Sequence, residues 1–411
     1  MFKNTYFFLV IIALSGMISC VKPKPKTHAK SINLLENKIH ILKPSIIVGA
    51  NQLDAYLPFL QNKKVALVAN QTSVIFKTNN TNTHLIDSLL HLKVNITKVF
   101  APEHGFRGLA DAGEHITNST DATTGLPIIS LYGKNKKPTP KQLKNIDILI
   151  FDIQDVGVRF YTYISTLHYV MEACAEAGIA VIVLDRPNPN AHYIDGPVLE
   201  MAHKSFVGMN PVPLVYGMTI GEYAQMINGE NWLINGIKCD LKVIKLKNYT
   251  HNTVYDLPIK PSPNLPNAKA INLYPSLALF EGTTVSCGRG TAMQFQIFGA
   301  PYLPKEKYPF SFIPQPNNGA KYPKHKGRLS YGLDLRKTAS LNQLNLEWLI
   351  KAYTTTHKKD SFFNTFFTRL AGTKNLQQQI EQGLTQKAIK RTWQKDLDLF
   401  KRVRAKYLIY K

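Results

Sequence analysis

Acidic residues are scarce in this chain of 411 residues: 27 Asp and Glu stand against 50 Lys and Arg, a formal charge of +23. An excess of that size favours an anionic partner such as nucleic acid, an acidic polymer or a membrane surface. The lysines, however, fall in short scattered clusters at 134–137, 321–326 and 358–359. No recognition helix, RNA-binding signature or finger spacing accompanies them, so nucleic acid is not expected as a partner. Cysteine is nearly missing as well. The four present, Cys20, Cys174, Cys239 and Cys287, form no C-x-x-C pair, which argues against a disulfide framework and a thiolate metal site. There is no G-x-S-x-G elbow, no Walker A loop and no H-E-x-x-H. Gly288-Arg-Gly290 lacks the third glycine of a dinucleotide loop, and neither cofactor nor metal is expected.

Long apolar runs are also missing. Phe7 to Met17 is the apolar core of a leader, at roughly a dozen residues too short to span a bilayer comfortably. Lys3 precedes it and Met17-Ile-Ser-Cys20 ends it. A small residue before a cysteine resembles a bacterial lipobox, so residues 1–20 are expected to be a lipoprotein signal with Cys20 as the lipidated residue. Residues 21–40, rich in Lys, Pro and Thr, read as a tether. An exported, membrane-anchored lipoprotein, with the periplasm as its compartment, is the expectation.

What is present is a rhythm of apolar strands ending in polar loops. Strands are predicted at 64–69, 94–100, 126–132, 146–152, 179–184 and 241–246. Helices are predicted at 84–91, 140–145, 166–178 and 219–228, with amphipathic stretches at 341–353 and 375–410, the latter interrupted near Gly383. Strand, loop, helix and strand in alternation mark an α/β fold with a doubly wound parallel sheet. It is placed at residues 41–200, followed by a smaller α+β domain at 201–411. Residues 262–299, dense in Pro, Gly, Ser and Thr, read as loop.

In such a sheet ligands lie beyond the carboxyl ends of the strands. The central strand delivers Asp152, Gln154, Asp155 and Arg159 there, followed by Tyr161. Glu103 and its neighbours His104 and Arg107 follow the preceding strand, and Glu114 lies in the next loop. Glu172 sits on the helix that the central strand feeds. Glycoside hydrolysis needs two carboxyl groups across the scissile bond, and these glutamates are the candidates. His104 and His115 with Asp152 and Asp155 would alternatively suit a metal-dependent esterase or phosphatase. Arg186, made rigid by Pro187, and Arg289, set between glycines, are candidates to bind a carboxylate.

Several long motifs stand in order: 102–108 (PEHGFRG), 151–163 (FDIQDVGVRFYTY), 184–189 (LDRPNP), 216–222 (YGMTIGE), 261–266 (PSPNLP), 281–291 (EGTTVSCGRGT) and 299–301 (GAP). Together they resemble the exo-β-N-acetylmuramidase family, over about residues 45 to 411. The resemblance implies a Rossmann-like domain, a smaller second domain and a cleft between them. It also implies release of terminal N-acetylmuramic acid from the non-reducing end of peptidoglycan fragments, in cell-wall turnover. Muropeptides would be the partners. Two glutamates are implied: Glu103 from the Glu-His-Gly motif, and Glu172 as the second with Glu114 in reserve. The motifs add Asn188, Asn264 and Glu281 as substrate-binding positions. A non-catalytic muropeptide-binding lipoprotein remains the alternative reading.

Overall fold

The computed structural model describes residues 45–79, 81–106 and 118–410. Cys20, Arg107, Glu114 and His115 lie outside them.

Twelve strands occur among the described residues: β1 (Val65–Ala69), β2 (Val74–Phe76), β3 (Asn82–His84), β4 (Ile96–Ala101), β5 (Ser119–Thr120), β6 (Pro127–Ser130), β7 (Ile148–Asp152), β8 (Ala180–Leu184), β9 (Leu241–Ile244), β10 (Ile297–Ala300), β11 (Phe310–Phe312) and β12 (Ser330–Asp334). Seven form one sheet in the order β5-β6-β4-β1-β7-β8-β9. All of its pairs are parallel except β5 with β6. Without β5, the strands taken in order along the chain run 3-2-1-4-5-6 across the sheet, the Rossmann order. Its switch point falls between β1 and β7, the place where sheets of this order bind ligands beyond the strand ends.

The apolar runs explain why the sheet is internal. Every residue of β1 and of β7 is buried. Alternate side chains go to opposite faces: Ala66, Val68, Leu149, Phe151, Val181 and Val183 join one core, and Val65, Leu67, Ile148, Ile150, Ile182 and Leu184 the other. The first core continues into the C-terminal region through Phe280, Phe298, Phe362 and Phe400. That region is a second, smaller α+β part, built on the antiparallel sheet β10-β12-β11 and short helices.

The sheet does not end at residue 200, where the sequence reading placed its boundary. β9 pairs with β8 in parallel and extends the sheet to Ile244. Residues 262–299 also differ from the loop expected there. They contain the helix Ala268–Leu277, with Pro275 inside it, running into the 3-10 turn Ala278–Gly282. Asn267 caps its start by accepting from the Ala270 N–H at 2.9 Å. Proline density suggested irregular chain, but one proline removes one hydrogen bond, and buried Ile271, Leu273, Tyr274 and Leu277 outweigh it. The stretch 375–410 is three helices, Asn375–Glu381, Gln386–Thr392 and Gln394–Ala405. Gly383, with φ of 78°, makes the left-handed turn after the first.

Candidate active site

The two strand ends at the switch point are tied together. Ser73 Oγ donates to the Asp152 carbonyl, and the Gln154 N–H donates to Thr72 Oγ1 at 3.0 Å. Asn70, just past β1, donates to Tyr163 Oη at 3.0 Å. Tyr161 Oη and Tyr163 Oη both donate to the Pro261 carbonyl, at 2.9 and 3.3 Å. Those bonds bring the 261–265 loop over the ends of β1 and β7.

Glu103 arrives from β4. The turn that carries it puts His104 at φ of 70° and Gly105 at 76°; a histidine there is uncommon and conformationally costly. Thr162 Oγ1 donates to Glu103 Oε2 at 2.6 Å, which fixes the half-buried carboxylate over the start of the helix Tyr163–Glu176. Another carboxylate of the same cavity comes from the other half of the chain. Glu281, on the 3-10 turn, accepts from Arg289 Nη1 at 2.8 Å. Arg289 Nη2 also donates to the Gly319 carbonyl at 2.9 Å. Gly288 and Gly290 flank this arginine, each with φ of 82°, and a Cβ on either would strike Ile297 or Pro323 within 2.7 Å.

Glu103, His104, Tyr161, Thr162, Asn264, Tyr274, Glu281 and Arg289 all line one cavity of about 770 Å³. Burial drives the Tyr274 phenol well above its ordinary pKa, and Glu281 and Glu103 both add to the rise. The ring therefore feels both carboxylates. Tyr161 packs edge-on against Tyr163 and Tyr274, and Phe160 and Phe295 likewise meet Tyr274 edge-on. Asn264 Nδ2 donates to the Gly319 carbonyl at 2.7 Å, while its buried Oδ1 has no hydrogen-bond partner among the described residues.

The cavity is asymmetric. Phe160, Tyr161, Thr162, Ser262, Asn264, Leu265, Tyr274 and Phe295 at its floor are buried. Tyr132, Lys136, Ser205 and Phe206 in the same lining are half-buried, and Lys204 and Arg369 are exposed. The two carboxylates stand between floor and mouth in exposure.

The other expected site residues among those described do not line this cavity. Glu172 is turned away: Lys137 Nζ and the Ile234 N–H each bind it at 2.8 Å. Burial pushes its carboxyl up, but those hydrogen bonds hold it below the ordinary value. Arg186 grips Asp152 through Nε and Nη2 at 2.6 and 2.8 Å. Arg159 is buried and donates to the carbonyls of Pro197, Val212, Leu370 and Ala371, so neither arginine faces a ligand. Gln154 Nε2 bonds to the carbonyls of Asp155 and Pro187, and Asn188 Nδ2 to that of Met218. Asp155 accepts from Tyr216 Oη and the Gly157 N–H, and burial pushes it up to about 6. These side chains build the strand ends on which the site rests. Among the described residues, Asp152 and Asp155, so engaged, are not gathered with His104 into a ligand set. Sequence reasoning missed Tyr274, hidden in the proline-rich stretch, and Lys324. Lys324 Nζ donates among the carbonyls of Phe280, Glu281, Thr283 and Val285 at 2.6 to 3.3 Å.

Comparison with known proteins agrees with the motifs. Residues 65–269 match the family profile of the exo-β-N-acetylmuramidase NamZ N-terminal domain, and residues 272–410 that of its C-terminal domain. The chain is 37% identical to the peptidoglycan β-N-acetylmuramidase NamZ of Bacillus subtilis, covering 99% of this chain and 100% of that one. Two crystal structures of DUF1343 family proteins from Bacteroides fragilis are similar. One is 46% identical with a TM-score of 0.82 over 90% of this chain and 99% of that one. The other is 30% identical with a TM-score of 0.76 over 90% and 100%. The chain therefore belongs to the NamZ exo-β-N-acetylmuramidase family.

Proposed function

We propose that this protein is an exo-acting glycoside hydrolase that releases terminal N-acetylmuramic acid from the non-reducing end of peptidoglycan fragments. The observation that carries the reading is that Glu103 and Glu281 line one cavity together with a buried set of aromatic side chains. The exo character is that of the family to which the chain belongs. Glu103, held by Thr162, acts as the acid that protonates the departing glycosidic oxygen. Glu281, held by Arg289, supplies the second carboxylate that such chemistry requires.

The terminal sugar sits on the aromatic floor, where Tyr161 and Tyr274 offer their rings. Its lactyl carboxylate needs a cation, and of the three candidate arginines Arg289 lines the cavity, sharing its guanidinium with Glu281 and the Gly319 carbonyl. A signal ending at Cys20, with the protein exported and held at a membrane by that lipidated residue, would place the enzyme beside its polymer. A fatty-acid label absent from Cys20→Ser but present in wild type would support that placement, and equal labelling would refute it.

A chromogenic muramic acid glycoside tests the activity. Release of the chromophore by pure protein supports the reading. Tight binding without release would instead favour a muropeptide-binding protein using the same cleft.

A further inference from the structure

The mouth of the cavity has a chemistry of its own. Lys136, Lys204 and Arg369 line it, and none of the three has a carboxylate partner among the described residues. Lys136 Nζ instead stands 4.8 Å from the centroid of the Phe206 ring. Phe206 is stacked on Tyr169, with centroids 6.3 Å apart and planes 13° from parallel, and Tyr132 lies 6.1 Å away. The mouth is thus an aromatic shelf edged by three cations.

We propose that this shelf is a leaving-group subsite for an anionic glycan, one whose second muramic acid residue still carries a free carboxylate. The inference rests on the function proposed above and adds the length and charge of the preferred substrate. Burial sets the direction. The terminal sugar occupies the buried side of the lining, so the rest of the chain leaves past Glu103 and Glu281 towards the exposed side. In a glycan of alternating glucosamine and muramic acid, the first sugar beyond the cut is neutral. It meets the Phe206 and Tyr132 rings. The next sugar bears a carboxylate and meets Lys204 and Arg369. Unpaired cations at the mouth raise the local concentration of such a chain and orient it, at a strength that salt reduces. Scattered surface lysines would do neither selectively. These three line one cavity that also carries a stacking surface, and Lys136 lies against it.

The test compares kcat/KM for three substrates: the muramic acid–glucosamine disaccharide, the alternating tetrasaccharide, and a tetrasaccharide of one terminal muramic acid followed by three N-acetylglucosamines. Wild type should prefer the alternating tetrasaccharide over the other two by about fivefold to tenfold at low salt, the scale of a few exposed charge contacts. About 0.5 M sodium chloride should abolish that preference. The double variant Lys204→Gln/Arg369→Gln should bring the ratio back to about one; both side chains are exposed and unpaired, so the fold does not depend on them. Equal turnover of the two tetrasaccharides, or a preference that survives the double variant or the salt, overturns the proposal. Failure of wild type to cleave even the disaccharide refutes the underlying activity, and this inference with it.

Discussion

Arg289 Nη1 lies 2.8 Å from Glu281 Oε1 while its Nη2 donates to the Gly319 carbonyl at 2.9 Å. One planar guanidinium thus sets the second carboxylate against a fixed backbone point. A lysine is a single point charge and cannot span both acceptors. Arg289→Lys should lower kcat by about tenfold or more, and Glu281→Gln by at least about a hundredfold, as removal of an acid–base partner does. Steady-state kinetics on the disaccharide would decide. Full activity in Glu281→Gln would return the second role to another carboxylate.

Lys324 is a prediction of a different kind, because it touches the backbone of Glu281 and not its carboxylate. Its ammonium sits among four carbonyls, one of them that of Glu281, at 3.1 Å. Burial holds the ammonium below its ordinary pKa. Lys324→Ala should leave carbonyls without donors, each worth roughly 1–3 kcal/mol when buried. A fall in kcat with little change in KM is expected, with partial recovery when ammonium ions fill the vacated position. No recovery, with KM and kcat falling together, would make Lys324 a purely structural residue.

Glu172 should prove dispensable for turnover. Its carboxylate holds Lys137 and the Ile234 N–H outside the cavity, so Glu172→Gln should keep kcat/KM within about threefold of wild type. It should cost about 1–2 kcal/mol of stability through the weakened contacts. Denaturant titration beside the activity assay measures both. A hundredfold loss of turnover in a folded variant would contradict this placement.

Much of the fold was legible in the residues. Continuous apolar runs such as Ile148–Asp152 announce strands buried on both faces, and the polar residues after them locate the crevice. Glu103 was legible as a cavity residue for that reason, since it directly follows a strand. Glu281 was legible as a motif residue but not as a neighbour in the same cavity. That placement depends on a helix masked by Pro275 and on a long-range fold that brings both residues to one cavity. Glu172 misled because helical proximity in sequence says nothing about direction. Nine residues after Tyr163, on a helix rising about 1.5 Å per residue, it is well over 10 Å along the axis from the cavity end. Arg159 and Arg186 misled for another reason: a buried arginine can be consumed by carbonyls or by one aspartate, and sequence does not distinguish that from an open pocket.

Stability should carry a pH signature from Asp155. Burial pushes its carboxyl up to about 6, against about 3.9 in an unfolded chain. The folded state therefore holds a proton that the unfolded state has released between those values. The stability this group contributes is full below about pH 4, falls as pH rises to about 6, and is flat beyond. His168, which burial drives down to about 4, acts with the opposite sign in the same window, so the difference between variants is the quantity to read. Asp155→Asn should gain on wild type from pH 4 to about 6.5 by on the order of 2 kcal/mol, then level off. A difference independent of pH in thermal melts would contradict the assignment.

The most direct test is product analysis on the muramic acid–glucosamine disaccharide with wild type and Glu103→Gln. Wild type should liberate free N-acetylmuramic acid, and the folded variant should do so at least about a hundredfold more slowly. Equal release by the two would show that Glu103 takes no part in bond cleavage, and the account built on that carboxylate would fall.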